Sequence, residues 1–328
     1  MSATYSQYNI PHAHPFDPTY GYDEKSLLEI GLPDNEPEDF DVFWKDLYKK
    51  TLSIKTELKR KPSRFESETH KVEEVYFLTL GHYHIGAYLI TPKNGVVERI
   101  QVEGHGYGGR EAPNLEIKPT TASLNPIAPG FHLSAHSTIP LNDSSQHVIH
   151  KVEDKNTYIF RNCAAAWWSA ATVMLELYPK LSETLIYRGW SFGGGMGCLM
   201  LPWDNRYKGA ELGQVSFCHI PIRLTCSCAG SGDATTRFFR EHPSVLQNTL
   251  RYFDAAFAAK RILVPVVFCA SLFDPCVPPP GQFAAYNVCE APKRLSKFLV
   301  GHFDYQHENS DAEHQNHLNN LEEFGFLY

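Results

Sequence analysis

The 328-residue sequence has no excess of positive charge. It contains 30 Lys and Arg residues against 37 Asp and Glu residues, which gives a formal net charge of −7. Because binding to nucleic-acid phosphates needs clustered cationic side chains, this balance argues against nucleic acid as the main partner. No apolar run approaches the roughly 20 residues of a membrane-spanning helix. The glycine-rich segments also lack the signatures of nucleotide-binding loops, so neither a membrane span nor a nucleotide site is expected.

Cysteine is missing from the first 162 residues of the chain. All eight cysteines lie between residues 163 and 289, mostly in apolar stretches, and this favours buried, reduced thiols. Cys226 and Cys228 lack a second pair of ligands at zinc-site spacing, and His12 and His14 lack a third ligand, so no metal site is expected. The N-terminus has neither the charged start nor the apolar core of a signal peptide. Together with the thiols, this predicts a cytoplasmic protein.

The order of apolar segments predicts the class of fold. Residues 1–36 show no sustained period and are predicted to form an N-terminal extended arm, followed by a single α/β domain over residues 37–328. Within that domain, residues 72–77 and 85–90 have the pattern of an antiparallel strand pair. Residues 159–177 are apolar almost all round, as in a buried helix, and the apolar strand that starts at Leu185 follows at once. This alternation predicts a mostly parallel, twisted sheet with helices on both faces.

The stretch Leu185–Gly197 reads LIYRGWSFGGGMG and contains the pattern Gly-x-Ser-x-Gly around Ser191. An apolar strand precedes the pattern and a helical segment follows it. A serine held on such a tight strand-to-helix turn presents its hydroxyl above the sheet, where it can act as a nucleophile. Ser191 is therefore the candidate nucleophile. The alternative is that this common pentapeptide belongs to an ordinary glycine-containing loop.

A second glycine-rich stretch, His105–Gly109, directly follows an apolar strand. Its glycines let backbone amides turn toward a ligand, and an oxyanion donor in hydrolases of this kind comes from the loop after an early strand. The backbone N–H groups of Tyr107 and Phe192 are therefore predicted to bind a developing oxyanion. A plain hairpin turn is the alternative for this stretch.

The C-terminal third supplies an acid and two candidate bases. Asp274 stands after the apolar, β-branched strand 263–269, and the last predicted strand, 297–300, leads into a loop that holds His302 and His307. The order Ser, acid, His along the chain is the one that this arrangement requires. Position alone does not separate the two histidines. Taken singly, Asp274 could cap a helix and His307 could be a surface residue.

These motifs resemble the acetyl xylan esterase and cephalosporin C deacetylase group of carbohydrate esterases, whose members have the α/β-hydrolase fold. The resemblance runs over most of the chain from about residue 37. The motifs that carry it are Pro37–Trp44, His105–Gly109, Asp154–Tyr158, Asp274–Pro279, Phe283–Asn287 and His307–Glu308. The resemblance selects His307 rather than His302 as the base. It implies a triad of Ser191, Asp274 and His307, with Tyr107 and Phe192 as the oxyanion donors.

Two features depart from the family pattern. Phe192 stands where the family usually has glutamine, which is expected to change the wall of the pocket but not the backbone donor. The family's Arg-Gly-Gln segment before the nucleophile is missing, and residues 132–137 stand in about that place. His132 and His136 in this segment could bind substrate or be plain loop histidines, and the second interpretation is favoured.

The combined prediction is a serine esterase that hydrolyses small acyl esters, most plausibly O-acetyl groups on sugars or related alcohols, through an acyl-enzyme. Neither a metal nor an organic cofactor is required. The resemblance further implies a homo-oligomer, with a hexamer as the example of the family's ring-shaped assemblies. The alternatives are an acyl hydrolase or peptidase with another class of substrate, and a catalytically silent hydrolase fold that serves as a binding protein.

Overall fold

A nine-stranded sheet forms the centre of the protein in the computed structural model, which describes residues 4–326. The strands are β1 (Thr4–Tyr5), β2 (Pro11–His12), β3 (Lys59–Pro62), β4 (His70–Leu78), β5 (His84–Pro92), β6 (Arg99–Glu103), β7 (Thr121–Pro126), β8 (Ile186–Trp190), β9 (Gly209–Gly213), β10 (Val266–Phe273) and β11 (Lys293–Val300). Strands β1 and β2 form a separate antiparallel pair. The other nine form the large sheet.

The helices are α1 (Glu24–Leu28), α2 (Phe40–Leu52), α3 (Ser144–His147), α4 (Phe160–Leu177), α5 (Phe192–Met200), α6 (Ile220–Thr225), α7 (Ser231–Glu241), α8 (Ser244–Asn248), α9 (Ala255–Ala259), α10 (Pro279–Val288) and α11 (Ser310–Glu323). Short 3₁₀ turns occupy Leu80–His82, His132–Ser134, Pro179–Thr184, Leu201–Trp203 and Leu250–Phe253. Among residues 4–326, no helix combines the length and the apolar character needed to cross a bilayer.

The strand order in the large sheet is β11-β10-β9-β8-β6-β7-β5-β4-β3. The six strands from β11 to β7 in this order are parallel to one another, whereas β5, β4 and β3 continue the sheet as antiparallel strands. Parallel strands need long crossover connections, which the helices supply. The predicted mostly parallel α/β sheet is confirmed, and so is the antiparallel pair at β4 and β5.

Helices cover both faces of the sheet, as the alternation of side chains along β10 demonstrates. Val266 and Phe268 pack into the main apolar cluster, which also contains α4 and α5. Val267 and Cys269 point to the opposite face and pack against Leu321 of α11. Because successive strand side chains alternate in direction, a strand that is apolar at every position must be covered on both sides.

The all-round apolar pattern of α4 is explained by its position between the sheet and another helix. Trp167 and Trp168 are fully buried, and the Trp168 indole N–H donates to the Met200 carbonyl at 3.1 Å. On the outer side lies the amphipathic α2, whose Trp44 donates its indole N–H to the Tyr252 carbonyl at 2.9 Å. For Trp168 and Trp44, the carbonyl acceptor offsets the cost of burying a polar indole N–H along with the apolar ring.

The N-terminal segment packs against the C-terminal end of the sheet. Leu27 of α1 is fully buried and shares an apolar cluster with Leu272 of β10 and Phe283 of α10. The Asn287 side-chain amide donates to the carbonyls of Leu27 and Ile30, at 2.8 and 2.9 Å. The part of this segment that the structure describes, residues 4–36, therefore contains a strand pair and a short helix, and it is seated on β10 and α10.

Candidate active site

Four parallel strands bring the candidate residues to one edge of the sheet. Ser191 directly follows β8, Asp274 directly follows β10, His302 comes two residues after β11, and Tyr107 lies in the loop after β6. Because the carboxyl ends of parallel strands share one edge, residues far apart in sequence meet there. Ser191, Tyr107 and His302 line a cavity of about 380 Å³.

Ser191 sits on a strained turn. Its backbone angles are φ 57° and ψ −117°, which a non-glycine residue rarely adopts. Its N–H donates to the Gly213 carbonyl at 2.8 Å. A Cβ atom on Gly189 would lie 2.5 Å from the Gly193 carbonyl oxygen, and one on Gly193 would lie 2.9 Å from the Gly104 carbonyl carbon. Gly189 is therefore required by the close approach of β8 to the start of α5, and Gly193 by the close approach of α5 to the loop after β6.

The predicted oxyanion donors lie on either side of this close approach. Phe192 is the first residue of α5, so its N–H belongs to the positive end of that helix. Neither the Phe192 N–H nor the Tyr107 N–H has a hydrogen-bond partner within residues 4–326. Two such amides beside a serine can hold a negatively charged oxygen.

The side chains of Tyr107 and Phe192 stack on each other, with ring centroids 4.3 Å apart. Phe192 is fully buried beneath Tyr107 and is not one of the residues that line the cavity, so its side chain does not form the pocket wall that the sequence predicted. The Tyr107 hydroxyl donates to His147 Nδ1 at 3.1 Å, while His147 Nε2 donates to the Pro129 carbonyl at 2.9 Å. Burial lowers the pKa of His147 to about 4, so this imidazole stays neutral and fixes the Tyr107 ring.

The carboxylate of Asp274 is fully buried and satisfied on both oxygens. Oδ1 accepts the backbone N–H groups of Cys276 and Val277, at 2.8 and 2.9 Å. Oδ2 accepts the side-chain amide of Gln282 at 3.0 Å and the Nδ1–H of His302 at 2.8 Å. The three bonds from Cys276, Val277 and Gln282 fix the carboxylate, so that Oδ2 is oriented toward Nδ1 of His302.

The histidine beside Asp274 is His302, which corrects the selection of His307 made from the family resemblance. His307 Nε2 lies 3.3 Å from Glu313 Oε2, and His307 is not one of the residues that line the cavity. The physical reason is the turn after β11. Gly301 passes so close to the acid that a Cβ atom on it would lie 2.6 Å from Asp274 Oδ2, and His302 follows in the left-handed region at φ 46°.

The sequence did contain a signal for His302. A glycine directly before a histidine at the end of a strand marks a close approach of the backbone. The order of residues alone leaves both histidines as candidates for the base. With Nδ1 engaged by Asp274, the remaining nitrogen Nε2 is the one that can serve Ser191. No direct hydrogen bond joins Ser191 and His302 among the described residues. Catalytic hydrogen bonds are often long before substrate binds.

His132 and His136 are not among the residues that line the cavity. His132 Nε2 lies 3.5 Å from the Gly108 carbonyl oxygen, and His136 Nδ1 lies 3.0 Å from the Thr138 hydroxyl. The other side of the cavity is formed by residues between 216 and 235, including Phe217, Arg223 and Ser231, none of which the sequence had singled out.

Within the described residues, one group of side chains has the composition of a metal site: Glu211, Cys269 and His317, whose candidate ligand atoms lie within 4.8 Å of one another. Glu211 is already engaged by Arg188 Nε at 2.9 Å and by the Trp190 indole N–H at 2.7 Å. Burial opposes its ionisation, but Arg188 and His317 outweigh this and lower the pKa of Glu211 to about 2. Because protein donors satisfy the carboxylate, this group has the character of a structural ion pair.

The parallel sheet, the strained serine turn after β8 and the cavity at the carboxyl edge define an α/β-hydrolase. The model of the acetyl xylan esterase (AXE1) family matches residues 27–321. The chain therefore belongs to the acetyl xylan esterase family, as its motifs predicted, and it is a carboxylic ester hydrolase. Family membership supports the hydrolysis of acetyl esters of carbohydrates.

Solved structures agree on the fold. Acetyl xylan esterase 1 from Thermoanaerobacterium sp. JW/SL YS485 is similar with a TM-score of 0.78 and 21% identity, over 93% of this chain and 99% of that one. An acetyl xylan esterase from Paenibacillus sp. R4 has a TM-score of 0.76 and 19% identity, over 92% and 99%. Pyrococcus horikoshii acylaminoacyl peptidase is similar with a TM-score of 0.58 and 16% identity, over 80% of this chain but 42% of the peptidase.

Proposed function

We propose that this protein is a serine esterase that removes small acyl groups, principally O-acetyl groups, from sugars or related alcohols. The nucleophile is Ser191, the base is His302 and the acid is Asp274. The observation that carries the proposal is the 2.8 Å hydrogen bond from His302 Nδ1 to Asp274, made beside the cavity that His302 and Ser191 both line. This is the pairing that a catalytic imidazole needs in order to be held in one tautomer.

In this mechanism His302 Nε2 takes the proton from Ser191 Oγ as Oγ attacks the carbonyl carbon of the ester. The carbonyl oxygen becomes an oxyanion, which accepts hydrogen bonds from the N–H groups of Tyr107 and Phe192. The intermediate collapses when His302 returns the proton to the leaving alcohol, which leaves an acyl group on Ser191. Water then repeats the two steps and releases the acid, while Asp274 stabilises the positive imidazolium in each half of the reaction.

The surroundings of Ser191 support a small ester as substrate. The cavity of about 380 Å³ is at the low end of the range for small-molecule sites. Among the residues that line the cavity with Ser191, Phe217, Ile220 and Val277 are apolar, and Ser216 carries a hydroxyl. Such a lining accommodates a short acyl chain together with a hydroxylated alcohol.

The proposal is tested by acetate release from p-nitrophenyl acetate and from an acetylated xylo-oligosaccharide. Ser191→Ala is expected to lower kcat by about 10³-fold or more, because an alanine cannot form the acyl-enzyme. Ser144→Ala is the matched control, since Ser144 lines the same cavity but has no role in the proposed chemistry. Undiminished turnover by Ser191→Ala would overturn the mechanism. A wild type inert on both esters would favour the binding-protein alternative.

Assembly and location form a further part of the proposal. We infer a cytoplasmic homo-oligomer from the eight unpaired cysteines and from the family resemblance, with a hexamer as the expected size. Light scattering coupled to size-exclusion chromatography measures the molar mass directly. A monomeric mass across the micromolar range would contradict this part without affecting the proposed chemistry.

A further inference from the structure

The cavity beside Ser191 contains one permanently charged side chain among its described lining residues, Arg223. The other lining residues are glycines, hydroxyl residues, apolar residues, one cysteine and His302. An arginine stays protonated at any physiological pH. The cavity therefore presents a lasting positive charge to whatever ester reaches the serine.

The bonds of Arg223 to the protein leave its charge uncompensated. Nη2 donates to Cys228 Sγ at 2.9 Å, and Nη1 donates to the Thr236 hydroxyl at 3.3 Å and to the Cys226 carbonyl at 3.5 Å. These acceptors are neutral. Within residues 4–326, no carboxylate comes within 4.0 Å of this guanidinium. Three neutral acceptors orient the group without neutralising it.

Two acidic side chains of this region, Asp274 and Asp233, are engaged elsewhere. Asp274 is held by His302 and by its three other donors, and Asp233 pairs with Arg237 at 3.2 Å on the surface of α7. The backbone of Gly232, at the start of α7, lies against the guanidinium of Arg223, which belongs to α6, so the neighbouring helix helps to hold this side chain in place. A charged, oriented and unpaired guanidinium at a ligand cavity has the properties of a carboxylate-binding group.

We propose that Arg223 determines substrate specificity by binding a carboxylate on the ester, so that the preferred substrates are acyl esters that carry an anionic group, such as O-acetylated uronic acids. This inference rests on the proposed esterase function. It adds the charge class of the substrate to that function. A carboxylate could reside on the alcohol or on the acyl group, and the two positions are separated by the choice of esters.

The test compares kcat/KM for matched charged and neutral esters. For the alcohol side, the pair is 4-acetoxybenzoate and methyl 4-acetoxybenzoate, both followed by acetate release. For the acyl side, the pair is p-nitrophenyl hemisuccinate and p-nitrophenyl valerate. In at least one of the two pairs, the wild type is expected to have a higher kcat/KM for the charged ester than for the neutral one. Arg223→Met is expected to lower this charged-to-neutral ratio about tenfold or more, mainly by raising KM for the charged ester.

Two further variants separate charge recognition from a structural role. Arg223→Lys keeps the charge and is expected to restore part of the ratio, although it loses the planar two-pronged geometry. Arg237→Met removes a nearby positive charge whose side chain is 66% exposed and lies outside the cavity lining, and it is expected to leave the ratio unchanged.

The possible outcomes are distinguishable. If Arg223→Met lowers kcat/KM for charged and neutral esters equally, Arg223 only supports the packing of α6 against α7 and the inference is wrong. If the wild type hydrolyses both members of each pair with the same efficiency, the carboxylate preference is wrong but the esterase proposal stands. If the wild type hydrolyses none of the four esters, the proposed function itself fails.

Discussion

At the scale of single residues, the position of one imidazole decides which histidine can act as the base. His302 lies 2.8 Å from Asp274 and faces the cavity, whereas His307 contacts Glu313. His302→Ala is expected to lower kcat for p-nitrophenyl acetate by about 10³-fold or more, because Ser191 loses its proton acceptor. His307→Ala is the matched control and is expected to retain activity. The reverse result would restore the assignment made from the family resemblance.

A second prediction concerns His105, which is buried in the loop after β6. Its Nδ1–H donates to the Gly106 carbonyl at 2.6 Å, and its Nε2 accepts the Ala128 N–H at 2.9 Å. These bonds require the neutral ring, and burial lowers the pKa of His105 to about 3. As pH falls below about 6.5, the unfolded chain binds a proton at this residue but the folded protein does not. The contribution of neutral His105 to the free energy of unfolding is therefore fully present above about pH 6.5 and is lost as pH falls toward 3.

The expected loss from His105 is about 1.4 kcal/mol in the free energy of unfolding per pH unit over the middle of this range. Urea unfolding at about pH 7.5, 6 and 5 measures it. His105→Gln removes the titrating group, so its stability is expected to be lower at neutral pH but to fall less steeply with acid. Parallel curves for the two proteins would contradict the assigned cause.

At the scale of elements, the contact between α5 and the loop after β6 sets the geometry of the proposed oxyanion site. Gly193 of α5 faces Gly104 and His105 so closely that a Cβ atom would lie 2.9 and 3.0 Å from their carbonyl groups. Gly193→Ala is expected to force the two donors apart and to destabilise the protein by about 1–3 kcal/mol. It is also expected to lower kcat and to change KM little, because the oxyanion forms only during the reaction.

The matched control for Gly193→Ala is Gly31→Ala. A Cβ atom on Gly31 meets nothing within 4 Å, so this change is expected to alter the free energy of unfolding by less than about 0.5 kcal/mol. Urea unfolding together with steady-state kinetics distinguishes the two variants. Equal effects on kcat would mean that the contact with the β6 loop does not position the donors.

At the scale of the whole molecule, the N-terminal segment supports the acid strand. The Asp274 N–H donates to the Pro18 carbonyl at 3.1 Å, and Leu27 fills a pocket on β10 and α10. Leu27→Ala is expected to lower the free energy of unfolding by about 2–4 kcal/mol, because it leaves a cavity in a fully buried cluster. Leu28→Ala, at a neighbouring position that is 43% exposed, is expected to have little effect. Equal melting temperatures for the two variants would mean that the segment does not stabilise the domain.

The family and the fold class could be predicted from the sequence because their signals are local. Strand–helix alternation follows from apolar periodicity, and the elbow follows from the spacing of Gly189, Ser191 and Gly193. Asp274 was identifiable because it directly follows a buried strand. In each case neighbouring residues fix the local conformation, so a short window of sequence contains enough information.

The pairing of side chains across the site was decided by the tertiary structure alone. His302 meets Asp274 because Gly301 lets the chain turn tightly beside the acid. The positions of His302 and His307 along the sequence do not reveal which of the two lies beside Asp274. Phe192 lies under Tyr107 instead of facing the cavity, and Arg223 reaches the cavity from α6, a short helix with no motif of its own. The sequence by itself determined which elements form and which edge of the sheet carries the chemistry. Only the folded chain decided which side chains touch, because such contacts depend on how loops far apart in sequence pack together.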